Sequence, residues 1–545
     1  MEFPERLSRR VVLAGTAVSA AAAVTGVSAA AAAGAAFGGA PARLRREPFT
    51  LGVASGDPDA HSVVLWTRLA PEPLAPDGRG GMPDRPVAVA WVVAHDAALR
   101  RVVRRGTAPA VPAYGHSVHV EVDGLAPGRE YFYRFTALGY ASAVGRTRTA
   151  PPAGSLPGAL RLAVASCAQY EHGYFTAYGA LAAQLPDLVL HLGDYLYEYA
   201  PDTHLPPYGG VRGHDGPETA TLADYRRRHA QYRTDPDLRA AHAAAPWLVV
   251  FDDHEVANNW AGGDADPAFR ARRSAALRAY WEHMPLRRTS LPVGPHLQLY
   301  RRLRWGRLAT LHLLDTRQYR SPQACGPGFR ACPDAAAPAR TLTGAAQERW
   351  LRDGLHRSAA RWDLVGQQVF FGQRDRDPGP AVATRADSWD GYLASRAAVL
   401  GAFDAVRNPV VLTGDAHAHW AGQLAHDFRD PAARLVGAEL VCTSVTSGGD
   451  GGDAAPTADR LFGANPHLRF HNDQRGYLLA TLTPATLTAD FQVVPYVSRQ
   501  GAPAYSRARY ALADRDATLH PTYLRPVDPP APVARRVQPE KHRGT

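Results

Sequence analysis

DLVLHLGDYLYEY, residues Asp187 to Tyr199, is an apolar strand-like run that breaks at a glycine into acid and phenol side chains. The same form recurs in WLVVFDDHEVANNW (Trp247–Trp260) and in PVVLTGDAHAHW (Pro409–Trp420). Three separated stretches thus deliver Asp, His, Tyr and Asn to one edge of a sheet, which is how a polynuclear metal site is built. Folding alone rarely asks for such groups there, since a buried charge costs on the order of several kcal/mol unless it is paired or bound to metal.

Outward from these motifs the pattern is α/β. From Leu160 onward RLAVASC, PDLVLHLGD, PWLVVFDDHE, RLATLHLLDT, RWDLVGQQVF and NPVVLTGDAH read as buried strands. TLADYRRRHAQY, TDPDLRAAHAA, PAFRARRSAALRAYWEHM and TGAAQERWLRDGLHRS read as the helices between them. Ligands of such sheets bind beyond the carboxyl ends of the strands, where Cys167, Asp194, Asp253, Asp315 and Asp415 all fall. ELVCTSVTS and YLLATLTPATLTADFQVV have antiparallel, turn-linked character and complete the sheet layers.

From Phe49 to Thr149 short alternating segments are separated by Pro, Gly and Asp turns, the pattern of an immunoglobulin- or fibronectin-like β-sandwich. LAPGREYFYRF supports this, because a turn followed by tyrosines marks the corner of such a sandwich. The expected organisation is a signal segment over 1–40, the sandwich over 45–150 and a catalytic domain over 158–510. A Pro- and charge-rich tail, partly disordered, follows over 511–545.

Composition excludes several classes. The 545 residues, 46% hydrophobic and 21% charged, suit two globular domains with tails. The formal charge is +10, yet Lys541 is the one lysine, so the arginine skew beside runs of alanine reflects codon bias rather than ligand choice. No basic run is interleaved with aromatics as nucleic-acid binding requires. Ser8-Arg9-Arg10 followed by an Ala- and Gly-rich stretch resembles a twin-arginine export signal, implying a secreted protein exported in folded form by that machinery. Its weak hydrophobicity argues against a transmembrane anchor. In an exported chain Cys325 and Cys332 read as a local disulfide. Cys442 reads as a small buried thiol, and Cys167, at a strand end, as a candidate thiolate ligand.

Hard oxygen donors (Asp194, Asp253, Asp415) beside an imidazole (His417), a phenolate (Tyr197) and a thiolate (Cys167) suit unlike metals side by side. Two ions about 3.5–4 Å apart hold a hydroxide and clamp a phosphoryl oxygen for in-line displacement. Asp194 is the natural bridge, and Tyr197 reaches the same side if the chain turns helically after it.

GDYLYEY, DDHEVANNW, DTRQYRS (Asp315–Ser321) and GDAHAHW, with a preceding strand ending in ASC and an N-terminal sandwich, resemble the PhoD-type alkaline phosphatases and phosphodiesterases. These are a branch of the calcineurin-like metallophosphoesterases that also includes secreted bacterial phospholipase D relatives. The resemblance runs from Phe49 to beyond Gly476. It implies a four-layer α/β/β/α domain after the sandwich, holding one ferric ion and two calcium ions. Carried over residue by residue, it makes Cys167 an iron ligand, Asp194 the bridging carboxylate and Tyr197 the phenolate. Asp253 then faces calcium, with His254 near the leaving oxygen, and Asp415 stands in place of a histidine usual in the wider superfamily. His417 completes the iron shell, and Asn259, or its neighbour Asn258, is a further calcium ligand.

Other residues in the motifs have more than one reading. Tyr195, Tyr199, Trp260 and Trp420 read as packing, and Asp252 and Glu255 as partners that orient ligands. His419 is either a ligand or a structural neighbour of His417. Arg317 either pairs with a carboxylate or clamps the phosphate as a catalytic group. Cys167 has the alternative of an ordinary buried thiol. The expected function is a secreted metal-dependent phosphoesterase, monomeric and acting without a phosphoenzyme, with His254 protonating the leaving group. The substrate is a small monoester, a diester, a phospholipid or a teichoic acid. A phospholipase D-type phosphodiesterase is the alternative, and a non-catalytic surface-binding protein the remote one.

Overall fold

Strands buried on one face and strands buried on both build this computed structural model, which describes residues 46–526 except 263–265, 380, 431 and 454–457. The expected export signal lies outside the described residues. Eight strands build the N-terminal part: β1 (Val53–Gly56), β2 (Val63–Arg68), β3 (Val87–Ala94), β4 (Val102–Ala110), β5 (Ser117–Val122), β6 (Glu130–Ala137), β7 (Tyr140–Ala141) and β8 (Gly145–Arg148). β4, β3 and β6 form one sheet, with β7 and β8 both paired to β6. Its inward side chains Val89, Val93, Tyr131, Tyr133 and Phe135 pack on Val63, Leu65, Val118 and Val120 of a second layer. The tyrosine corner is present: the Ala126 amide donates to the buried Tyr131 hydroxyl at 2.8 Å, and that hydroxyl lies 3.3 Å from the Ala126 carbonyl.

The second layer is not confined to the sandwich. β1 is buried along its whole length because it pairs antiparallel with β2 on one side and parallel with a strand of the α/β domain on the other. That strand belongs to the next series: β9 (Leu160–Ala165), α1 (Thr176–Ala183), β10 (Leu188–Leu192), α2 (Leu222–Arg233), α3 (Pro236–Ala244), β11 (Pro246–Val250) and α4 (Pro267–His283). Asp235-Pro236 and Asp266-Pro267 start α3 and α4 with an aspartate cap and a proline in the first turn. Thr221 and Asp224 close a capping box at the start of α2. The sheet runs β5-β2-β1-β11-β10-β9, so the sandwich and the α/β domain share one sheet.

The second sheet takes β12 (Arg301–Trp305), β13 (Ala309–Leu313), β15 (Trp362–Gln367), β17 (Pro409–Thr413), β18 (His419–Ala425), β19 (Leu435–Val441) and β20 (Leu468–Asn472). A two-stranded ribbon of β14 (Phe329–Arg330) and β16 (Thr384–Arg385), and the helices α5 (Gly344–His356) and α6 (Leu393–Phe403), lie between them in sequence. The order is β12-β13-β15-β17-β19-β18-β20. The two sheets meet so closely that a Cβ on Gly366 of β15 would sit 3.1 Å from the Leu190 side chain of β10. With α1–α4 packed on the first sheet and α5 and α6 on the second, the layers are α/β/β/α, as the resemblance implies.

One boundary differs from the sequence reading. β21 (Arg475–Leu482), β22 (Thr486–Val494), β23 (Tyr505–Ala513) and β24 (His520–Leu524) extend the first sheet beyond β9, so the tail expected from residue 511 begins inside a paired strand. β24 is an edge strand exposed at every position, which gives it the composition of a tail. Arg361, Arg407 and Asn408 converge on Asp514 and hold the turn between β23 and β24. Cys325 and Cys332 form the expected disulfide, and Cys442 is a buried free thiol. Among the described residues, no helix is long and apolar enough to cross a membrane.

Tyr131→Phe removes the corner hydroxyl from a fully buried position and leaves the Ala126 amide without that acceptor. The unfolding free energy should fall by about 1–2 kcal/mol, read as a lower urea midpoint at unchanged slope.

Candidate metal centre

The strands end abruptly, and the backbone shows how. Cys167, Asp194, Asn259, Asp415 and His417 all adopt left-handed conformations, with φ of 60°, 53°, 55°, 53° and 52°. For a residue with a side chain this costs roughly 1–2 kcal/mol, least for Asp and Asn. Gly193, at φ 100°, precedes Asp194, and a Cβ there would lie 2.5 Å from the Asp252 amide. The loop after β10 therefore rests directly on the loop after β11, which only glycine allows. Tyr197 returns to Asp194 through a bend rather than the helical turn expected from the sequence.

These turns gather the candidate donors. Cys167, Asp194 and His417 offer donor atoms within 4.8 Å of one another, and so do Asp194, Asp253 and His254. Asp194 belongs to both groups. The Tyr197 hydroxyl donates to Asp194 Oδ2 at 2.8 Å and lies 3.2 Å from His417 Nε2. Ser447 Oγ is 2.8 Å from both the Tyr197 hydroxyl and the Cys167 carbonyl, tying the loop after β19 to this group. The Asn259 amide donates to Asp253 Oδ2 at 2.6 Å. Asn258 and Asn259 line the same cavity, and so does Asp415, which belongs to neither group.

The donor set fits cations. Buried oxygens Asp194 Oδ1 and Asp252 Oδ2 accept no hydrogen bond, and Asp253 Oδ1 has an ion pair with Arg317 at 3.4 Å but no hydrogen bond. Left alone, each would carry a penalty of about 1–3 kcal/mol or more. Burial, then the neighbouring Asp194 carboxylate, pushes the Cys167 thiol and the Tyr197 phenol well above their ordinary values. Ionising them as ligands needs strong positive charge at this spot. Cys167, Tyr197 and His417 with Asp194 in one group, and Asp253 with His254 and Asp194 in the other, offer donors of different hardness.

Three side chains brace the site. Glu255 accepts the amides of Asp194 (3.1 Å), Tyr195 (2.7 Å) and Asp252 (2.9 Å), joining the first two motif loops. Burial and the nearby Asp194 push its carboxyl up to about 8, against those three donors. Glu198 takes His254 Nδ1 at 2.8 Å and the Asn258 amide at 2.7 Å. Burial alone would depress the His254 imidazolium, but Asp253, Asp194 and Glu198 outweigh it and hold it well above its usual value. Arg317 is fully buried. Its guanidinium reaches Asp252 at 2.5 Å, Asp253 at 3.4 Å and Asp387 at 3.0 Å.

Of the two readings of Arg317, this geometry takes the carboxylate-pairing one, and the residue does not line the cavity. Asp315, though at a strand end, turns back to the Arg317 and Gln318 amides at 3.0 and 2.9 Å. His419 is buried between the Gln492 carbonyl (3.2 Å) and the Thr443 amide (3.1 Å), a structural position. Tyr195, Trp260 and Trp420 are buried packing residues. Glu198 is a further acid inside GDYLYEY, and the signal for its role is its place in that motif. Arg374, Arg376, Arg385 and Phe329, which line the cavity of about 330 Å³, carry no sequence signal in a chain so rich in arginine.

Residues 162–491 match the family model described as PhoD-like phosphatase, and residues 31–151 match that of the PhoD-like phosphatase N-terminal domain. The chain is 50% identical over 471 residues to alkaline phosphatase D of Bacillus subtilis (strain 168), covering 85% of this chain and 80% of that protein. The solved structure of PhoD superposes with a TM-score of 0.87 at 48% identity, covering 89% of this chain and 94% of the other.

Glu255→Gln replaces one acceptor oxygen with an amide group that faces backbone N–H donors. Stability should fall by about 1–3 kcal/mol in urea unfolding, with a loss of bound metal measured by elemental analysis.

Proposed function

This chain belongs to the PhoD-like phosphatase family and is a phosphoric ester hydrolase, and from that premise we propose that the cavity around Asp194 hydrolyses phosphomonoesters and phosphodiesters by in-line displacement, without a phosphoenzyme. The observation that carries this reading is Asp194 itself, shared by two donor groups and with Oδ1 unpartnered. In it, Cys167, Tyr197, His417 and Asp194 would hold a ferric ion. Asp194, Asp253, Asn259 and Asp415 would hold calcium. Ions bound there supply the charge that polarises a phosphoryl oxygen and lowers the pKa of water.

The remaining steps belong to the chain's own groups. His254 lines the cavity and donates a proton to the leaving oxygen. Glu198, on its Nδ1, fixes the ring so that Nε2 carries the proton offered to the ester. The Tyr197 ring stacks on the His254 imidazole at 4.1 Å between centroids and limits its rotation. Arg317 acts by holding Asp252 and Asp253 in place. The protein reaches the exterior folded, by the twin-arginine route, a reading supported by Ser8-Arg9-Arg10 and by the Cys325–Cys332 disulfide.

Asp194→Asn should lower kcat/KM on p-nitrophenyl phosphate and on bis(p-nitrophenyl) phosphate together, by on the order of 100-fold or more, with loss of bound metal and a retained fold by circular dichroism. Full activity in that variant sinks the proposal, and loss on one ester alone shows that two sites are at work. Cys167→Ser should lose iron while keeping calcium. Wild-type iron content in that variant rules out Cys167 as a ligand.

A further inference from the structure

Three guanidinium groups that line the cavity stand apart from Arg317 and Arg320, which pair with carboxylates. Arg374, Arg376 and Arg385 all line it, beside Asp415, His417 and Phe329. Arg374 is 8% exposed, nine-tenths buried. Among the described residues, none of the three side chains makes a hydrogen bond or ion pair with the protein. Two of them lie on aromatic rings instead. Arg374 lies over the rings of Phe329 and Phe370 at 5.3 and 4.9 Å, and Arg376 over Phe329 at 4.1 Å.

The backbone holds them as a unit. β14 and β16 pair Phe329 with Arg385. The Arg376 amide donates to the Ala383 carbonyl at 3.0 Å, and the Arg374 amide to Asp390 Oδ2 at 3.0 Å. Phe329 sits inside the loop closed by Cys325–Cys332. Asp415 attracts Arg374 and Arg385 without a hydrogen bond to either, and three guanidinium groups around one carboxylate leave an excess of positive charge that a further anion offsets. Aromatic faces keep a guanidinium planar and oriented while leaving its N–H fork free, the geometry that takes an oxyanion.

We propose that Arg374, Arg376 and Arg385 are specificity-determining residues that form a cradle for a second anionic group of the substrate, beside the phosphate ester that is cleaved. The proposal rests on the phosphoesterase reading of the Asp194 site. The scissile phosphate belongs at the donors around Asp194. The cradle takes a negative charge carried on the leaving or the retained portion, and substrates with two phosphates bind more tightly than those with one.

The test uses p-nitrophenyl phosphate as reporter on the full protein, with thymidine 5′-phosphate and thymidine 3′,5′-bisphosphate as competitors. In the wild type the bisphosphate should inhibit at about a tenfold lower concentration, the value of one charge-assisted contact. In Arg374→Gln, Arg376→Gln and Arg385→Gln the ratio of the two inhibition constants should collapse toward one. Arg376 and Arg385 are exposed, so those two variants remain informative if Arg374→Gln does not fold. A wild-type ratio near one overturns the cradle, and so does a ratio that survives in the exposed-arginine variants, which would place those arginines on the scissile phosphate or outside binding. If the reporter is not turned over, the phosphoesterase reading fails alone. The same ratio, read as calorimetric dissociation constants on the metal-loaded protein, then decides the cradle.

Discussion

Negative charge concentrated at the ends of two sheets is the constraint around which this structure is organised, and Arg317 is its internal counterweight. Burial would pull a proton off this guanidinium, but Asp252, Asp253 and Asp387 hold its pKa well above the ordinary value. A pair of this kind contributes little net stability, yet deleting one member leaves a charge stranded at a cost of about 3–5 kcal/mol. Its value is positional. Through Asp252 and Asp253 it sets the loop after β11, and through Asp387, which it shares with Arg320 at 2.7 Å, it fixes the segment after β16. The same cation thus orders the acidic floor of the cavity and the support of its basic rim. Glu255 does the complementary work on the backbone, where amides rather than charges have to be matched.

What was legible in the sequence was local. Apolar runs ending in Asp, His or Cys marked the strands whose ends meet, and Asp-Pro pairs started two of the helices. Tyr131 marked the sandwich corner, and two cysteines in one short loop marked the disulfide. Each of these readings depends on neighbours in the chain. The features that escaped depend on partners far away in it. β1 shows as a short apolar run, and nothing in it names β11 as its parallel partner. β24 has the exposure of a tail and becomes a strand because β23 offers it an edge. Arg317 could be read two ways until Asp387, seventy residues on, appeared against it. Glu198 was visible in its motif, but its task is set by His254, fifty-six residues on.

The left-handed backbone at Cys167, Asp194, Asn259, Asp415 and His417 reaches beyond catalysis to the way such a chain can vary. β-Branched side chains are poorly tolerated at these positions, while Asn, Asp and Gly are accepted with little strain. Substitution is thereby channelled. The easiest changes at Asp194 or Asp415 keep the loop and weaken or remove the donor, so the scaffold outlives its donor set. Descendants of such a fold have an open path to proteins that keep the pocket, the sandwich and the shared sheet while giving up turnover. The same conformational filter obstructs the reverse journey at Cys167, the one position of the five where the residue gains no tolerance of left-handed geometry from its own side chain.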